Sequence, residues 1–382
     1  EINKMIQRSI EKAIQEKLFQ GKAIILLGAR QVGKTTLLKK IATSLQDVLW
    51  LNADTFEVQT MFEQPSSSRF QSFIKNNKVL IIDEAQNIKD IGLKLKIITD
   101  EFSQIQLIAT GSSAFDLASQ VNEPLTGRKF EYQMFPISFG EMVTHHGLLE
   151  EMNQLNRRLI YGYYPDIIVN QNDEKDLLKL LADSYLFKDI LIWNKIKKSD
   201  KIIKLLQALS FQIGNQVSYN ELGKIVGLNS ETVESYISLL EKAFIIFRLG
   251  TFSRNLRSEL KKTRKIYFVD NGIRNAIISN FNPIELRNDV GALWENYLMS
   301  ERKKVLAYHH TYANSYFWRT HAQQEVDYIE ERSGSICAYE FKWGHKKAVI
   351  SKTFTRAYPN AMTKIITPEN VEEFLLDPNS MS

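Results

Sequence analysis

Eight residues constrain this chain more than any others. Gly28, Ala29, Arg30, Gln31, Val32, Gly33, Lys34 and Thr35 fill the pattern G-x-x-x-x-G-K-[ST]. An apolar run at residues 23–27 precedes them, and a helical pattern follows from Lys34. In that setting the glycines let the backbone curl until several N–H groups converge on phosphate oxygens. The positive end of the following helix points at the same anion. Lys34 then reaches the β- and γ-phosphates, and the Thr35 hydroxyl is the expected Mg²⁺ ligand. Thr36, next on the helix, completes the nucleotide contacts. The expected ligands are ATP or ADP, with Mg²⁺.

Short apolar runs recur at residues 48–52, 79–83 and 105–110, with helical patterns between them. Such alternation predicts an α/β fold, a P-loop NTPase parallel sheet covered on both faces. The run at 79–83 ends in Asp83, and Glu84 follows. Its expected place is beside the first strand. There Asp83 holds Mg²⁺ through water and Glu84 polarises the attacking water as a general base. This favours ATP hydrolysis over binding alone. Guanine reading needs Asn-Lys-x-Asp, and Asn194-Lys195-Ile196-Lys197 lacks the Asp. The fourth run ends Thr110-Gly111-Ser112, so Ser112 and Thr110 are candidates to sense the γ-phosphate. Arg128 is a candidate transition-state arginine, in cis or from a neighbouring subunit of a homo-oligomer. Arg30, inside the loop, can instead face acidic side chains.

A set of motifs extends this reading. Gly-Ala-Arg-Gln-Val-Gly-Lys-Thr-Thr-Leu-Leu starts at residue 28, Ile-Ile-Asp-Glu-Ala-Gln at 81 and Thr-Gly-Ser-Ser at 110. Leu-Thr-Gly-Arg starts at 125 and Phe-Pro-Ile-Ser-Phe-Gly-Glu at 135. Together they resemble the prokaryotic AAA-type ATPases whose C-terminal half is a domain of unknown function of the DUF4143 type. Tyr163-Tyr164-Pro165, Phe268-Val269-Asp270-Asn271-Gly272 and residues 291–295 look like that family's C-terminal half. The resemblance thus spans nearly the whole chain. It implies an ATPase and names no substrate.

Ser218-Tyr219-Asn220-Glu221 reads as a capping box opening a short helix. Leu222, Ile225 and Val226 form its apolar face, and Gly227-Leu228-Asn229 is the turn. Ser230 caps a second helix, with Val233, Ile237, Leu239 and Leu240 facing inward. This is the pattern of a DNA-reading helix pair. Arg248, Arg254, Arg257, Lys261, Lys262, Arg264 and Lys265 follow, a basic wing suited to phosphates. Against that, Glu231, Glu234 and Glu241 on the second helix repel phosphate. Packing against protein is the alternative role for such a module.

Near the end, Glu295 falls on a helical pattern, Asp327 on a strand and Glu340-Phe341-Lys342 on the next. Period-two geometry puts Glu340 and Lys342 on one strand face. The order resembles the core of the restriction-endonuclease-like fold. There Glu295, Asp327 and Glu340 would hold a second Mg²⁺, and Lys342 would stabilise charge or activate water. The same short pattern also arises on ordinary solvated strands.

Composition sets outer limits. With 44% apolar residues over 382, the chain can bury more than one core. A formal charge of +5 permits a nucleic-acid partner without requiring one. The single cysteine, Cys337, excludes an internal disulfide and a thiolate zinc site. No apolar run approaches the roughly 18 residues of a membrane span. Residues 1–19 read as an amphipathic helix without a signal-peptide core, so the expected location is cytoplasmic.

Four domains are therefore expected. An AAA-type core fills residues 1–148, a helical lid or connector 149–200, a winged helix 201–272, and a restriction-endonuclease-like α/β domain 273–382. The expected function is a Mg²⁺-dependent ATPase whose nucleotide state controls the C-terminal modules, acting on DNA. The alternatives are an ATP-gated metal-dependent nuclease and an ATP-dependent protein scaffold.

Overall fold

The computed structural model describes residues 5–112, 117, 119–183, 199–252, 264–320, 322–344 and 349–378. The chain forms two compact units. Glu1–Ile137 with Lys242–Phe244 make the first, and Ser138–Glu241 with Ile245–Ser382 the second.

The first unit is built on five strands: β1 Ala23–Gly28, β2 Val48–Asn52, β3 Val79–Asp83, β4 Gln106–Gly111 and β5 Lys129–Met134. They pair in parallel in the order β2-β3-β4-β1-β5. Every residue of β1, β3 and β4 is buried, which is why these strands read as unbroken apolar runs. One expectation is corrected here. β3 is not beside β1, because β4 lies between them, pairing Ile108 with both Ile24 and Ile81. Three strands buried on both faces carry the same apolar signature, so pattern alone does not order them. Two inter-strand steps, about 10 Å, separate β1 from β3.

The helix Lys34–Ala42 begins at Gly33, whose φ of 96° lies in the left-handed region. It buries Leu37, Leu38 and Ile41. The helix Ile10–Gln15 is tied to it by a 2.7 Å ion pair between Glu11 and Lys40. The Tyr132 hydroxyl on β5 donates to the Ala13 carbonyl at 3.0 Å.

The second unit contains β6 Gln216–Val217, β7 Ile246–Thr251, β8 Arg264–Phe268, β9 Asn314–Arg319, β10 Glu325–Arg332, β11 Ser335–Phe341 and β12 Met362–Ile366. These form one seven-stranded mixed sheet, ordered β12-β11-β10-β9-β7-β8-β6. Its two halves join where β7 pairs in parallel with β9, Gly250 opposite Tyr316 and Thr251 opposite Phe317. The sheet therefore runs across the boundary expected at residue 272. Its core gathers Trp318, Val326, Ile329, Ala338 and Phe354, with Phe252 from the earlier half.

The helix pair Tyr219–Val226 and Ser230–Lys242 forms around the expected turn, with Gly227 at φ 67°. Gly223 is needed there, since a Cβ would lie 2.5 Å from the Leu228 carbonyl oxygen. Two local expectations differ. Ile225 is 58% exposed and is not part of the apolar face. Asn229, not Ser230, caps the second helix, accepting from the Thr232 N–H at 2.7 Å. An Asn one residue earlier offers its side-chain oxygen at the distance the third N–H needs.

Motifs far apart in sequence meet in this unit. The buried Asp270 carboxylate accepts from the Tyr163 N–H at 2.7 Å and the Gly272 N–H at 2.8 Å. Asn271 donates to the Leu293 carbonyl at 3.1 Å, on the helix Val290–Tyr308. Tyr163 also donates to Glu151, which pairs with Arg158 through two 2.9 Å contacts. Among the described residues, no helix is long and apolar enough to cross a membrane.

Candidate functional site

At the C-terminal end of β1 the chain turns sharply through the glycine loop. Gly28 abuts β5 so closely that a Cβ would meet the Met134 carbonyl oxygen at 2.2 Å. Gln31 takes φ 58°, and Gly33 follows at 96°. Ala29 and Val32 are buried, while Gln31 and Thr36 are exposed. The Lys34 ammonium donates to the Gly28 and Ala29 carbonyls, both at 2.8 Å. The loop is braced from outside by a residue that sequence reasoning missed. Arg8 donates to the Val32 carbonyl and to the Phe135 carbonyl, each at 2.7 Å. Arg8 lies before the first strand in a polar stretch, where nothing in the local pattern marks it.

Despite the intervening strand, Asp83 meets the loop. Its Oδ2 accepts from the Thr35 hydroxyl at 2.8 Å, and its Oδ1 from the Thr110 hydroxyl at 2.6 Å. Thr110 in turn accepts from the Glu84 N–H at 3.0 Å. A hydroxyl and a carboxylate converging in this way are hard oxygen donors of the kind Mg²⁺ takes beside phosphate. The residues present therefore fit that ion.

Glu84 sits at φ 53°, a strained conformation for a non-glycine residue. One Gln86 amide hydrogen goes to Glu84 Oε2 at 2.5 Å and the other to Ser112 Oγ at 3.0 Å. The carboxylate only accepts, so the Gln86 nitrogen must face it. Gln86 Oε1 is left buried with no hydrogen-bond partner. Asp54, beyond the end of β2, is a further neighbour. Partial burial and the Glu84 charge raise its carboxyl above the usual range, while Arg30 acts to lower it. Arg30 is thus within electrostatic reach of Asp54. Asp54, Gln86 and Arg8 belong to the site although no motif pattern assigned them a role.

Arg128 is corrected for action in cis. Its carbonyl accepts from Ala23 N–H at 2.9 Å, at the start of β1, whereas the glycine loop is at that strand's end. The strand spans roughly 17 Å at about 3.3 Å per residue. The guanidinium is instead paired with Asp100 at 2.5 Å.

The carboxylates expected near the end of the chain lie in the second unit. Asp327 sits where β10 shifts register against β9, between Val326 and Ile329. One of its oxygens accepts from the Phe341 N–H at 2.8 Å. Burial, then the Glu295 and Glu340 charges, push its carboxyl up to about 8. Glu340 Oε1 accepts from Lys342 at 2.7 Å, as period-two geometry required, and Glu340 Oε2 is buried without a hydrogen-bond partner. Glu295, close enough for its charge to act on Asp327, already has partners of its own. Its Oε1 accepts from the Lys265 ammonium at 2.8 Å and the Tyr267 hydroxyl at 2.6 Å. Among the described residues, no three His, Cys, Asp or Glu side chains group as a metal ion requires. Glu295, Asp327 and Glu340, expected to hold the second Mg²⁺, thus lie near enough to act on one another by charge, without converging as a ligand set in the described residues.

The basic wing is also reduced. Lys265 is fully buried, and Arg248 is paired with Glu241. Neither is free to meet phosphate. Arg254, Arg257, Lys261 and Lys262 lie outside the described residues.

A parallel sheet, a glycine loop holding a buried lysine, and a Thr–Asp pair across its strand ends define the first unit as an AAA-type P-loop ATPase-like domain. Comparison with known proteins agrees. Residues 20–143 match a family model described as an AAA domain. Residues 152–284 and 290–373 match two domains of unknown function, DUF8612 and DUF4143. The chain thus joins an AAA domain to a DUF4143 domain, the pairing its motifs resemble. An uncharacterized protein of Haemophilus influenzae is 25% identical over 278 residues, 66% of this chain and 68% of that protein. The uncharacterized protein MJ1544 of Methanocaldococcus jannaschii is 23% identical, across 96% of this chain and 87% of its own. Among solved structures, the Walker-type ATPase PABY2304 of Pyrococcus abyssi shares the fold. Its TM-score is 0.51 at 14% identity, covering 72% of this chain and 96% of that one.

Proposed function

We propose that this protein is a Mg²⁺-dependent ATPase whose nucleotide state controls its C-terminal unit, and that this unit acts on DNA. The observation that carries the ATPase reading is the Thr35–Asp83–Thr110 chain, at 2.8 and 2.6 Å, with Glu84 anchored to the same threonine. Thr35 and Asp83 would hold the ion, which when bound offsets charge on the β- and γ-phosphates. Lys34 would turn from the loop carbonyls to the phosphates. Glu84 would take the proton from the water attacking the γ-phosphorus, while the bridging oxygen leaves with ADP.

The DNA reading rests on element order. A helix Ser199–Phe211, β6, two further helices and the β7–β8 pair succeed one another as in a winged helix. Contact through the wing then depends on Arg254, Arg257, Lys261 and Lys262. The nuclease alternative is favoured by one observation, the partnerless Glu340 Oε2 beside Asp327 and Lys342. Lys265 at Glu295 speaks against it.

The test is ATP turnover with and without duplex DNA. Turnover should be lost in Lys34→Ala, while Glu84→Gln should retain ATP and hydrolyse it about 10²–10⁴-fold more slowly. Normal turnover in Glu84→Gln would remove the base assignment. DNA that neither binds nor stimulates leaves the protein-scaffold reading in its place.

A further inference from the structure

Glu295, Glu325, Asp327 and Glu340 of the second unit lie close enough to share one field of charge, and they already hold a cation. Lys265 comes from β8, on the winged-helix side of the sheet, and its side chain is 1% exposed. Its ammonium lies 2.8 Å from Glu295 Oε1 and is also paired with Glu325. The aliphatic stem crosses to place the charge over the Phe317 ring, 5.4 Å from its centroid. Tyr267, two residues on and so on the same strand face, donates to the same Glu295 oxygen. The other Glu295 oxygen is roofed by backbone, since a Cβ on Gly214 would lie 2.9 Å from it. Glu325 has a second cation in Arg319, at 3.2 Å.

We infer that the Lys265 ammonium is the resident cation of this cluster, occupying the carboxylate oxygens that a divalent metal would need. The argument is one of donor chemistry. A divalent ion needs the carboxylate oxygens at which Lys265 and Tyr267 point. An ammonium buried at that spot repels a second cation, and its side chain is closed off from solvent. The two remaining carboxylates are each partly committed, Asp327 to the Phe341 N–H and Glu340 to Lys342. The cluster therefore fastens β8 to the helix Val290–Tyr308 and to β10 by charge. On this inference the cluster supports no metal-dependent strand cleavage.

This reading is independent of the ATPase assignment, so the test is made without nucleotide. Calorimetric titration with MnCl₂ should give the same heat for the parent and for Asp327→Asn, because any ion weakly held by Thr35 and Asp83 is common to both. Lys265→Met should gain a Mn²⁺ site at least tenfold tighter than anything in the parent. Lys265→Met/Glu295→Gln should lose it again. Stoichiometric Mn²⁺ binding by the parent that disappears in Asp327→Asn overturns the inference. So does a Lys265→Met variant with parent-like circular dichroism and no gained site. If Lys265→Met does not fold, the parent and Asp327→Asn pair decides the matter alone.

Discussion

Gln86 holds Glu84 with one amide hydrogen, at 2.5 Å, and Ser112 with the other, at 3.0 Å. The tip of β4 is thereby linked to the expected general base, and movement of Ser112 toward a γ-phosphate would be felt at Glu84. Gln86→Ala should lower kcat about ten- to a hundredfold and leave KM for ATP within twofold, since a positioning fault acts on the chemical step. Ser112→Ala and Gln86→Ala should be non-additive in a double-mutant cycle. Steady-state kinetics with Lys34→Ala as the blank make the measurement, and additive losses would break the link.

Arg128 lies at the opposite end of β1 from the glycine loop and is paired with Asp100. Arg128→Ala should therefore leave turnover in dilute, monomeric protein within about twofold, because an exposed ion pair contributes little. A role for the partner's arginine would appear as turnover that rises with protein concentration in the parent and not in Arg128→Ala.

Gly162 has φ 71°, and a Cβ there would lie 2.0 Å from Asp270 Oδ1. Gly162→Ala should therefore cost about 3 kcal/mol or more, through the left-handed backbone and the displaced buried carboxylate. Chemical denaturation should report the loss in the second unit. Nucleotide affinity of the first unit should be unchanged.

Asp289 gives a pH dependence. Burial raises its carboxyl, but hydrogen bonds and charge from Arg287 and Arg274 outweigh this and lower it overall. A lowered carboxylate stabilises the fold above its unfolded pKa, near 3.9. That contribution disappears as pH falls through the folded value, which lies lower still. Asp289→Asn should lower the melting temperature at pH 7, and the gap to the parent should close below about pH 4. A gap unchanged down to pH 2 would contradict the assignment.

The parts of the fold legible from sequence were those in which one local pattern meets one structural need. β1, β3 and β4 are buried on both faces, so their apolar runs were unmistakable, and the glycine loop between β1 and its helix carries its own chemistry. β5 carries no such signal, because this edge strand alternates polar and apolar residues and exposes Glu131. The place of β4 between β1 and β3 is not legible, since register depends on partners that no run contains. Arg8 and Gln86 gain their roles from carbonyls and carboxylates brought to them by folding. Lys265 misled most. Its place in a basic stretch suggested phosphate, yet strand periodicity turns it inward to Glu295, while its exposed-looking neighbours gave no sign of that.

The pairing of β7 with β9 has a mechanical consequence. Strands from the helix-pair region and from the acidic cluster share backbone hydrogen bonds, so neither half can pivot against the other without tearing a sheet. Cutting the chain at residue 272 would bare two strand edges and invite aggregation. Whatever signal reaches one half of this unit is delivered to the other as displacement of a single stiff plate.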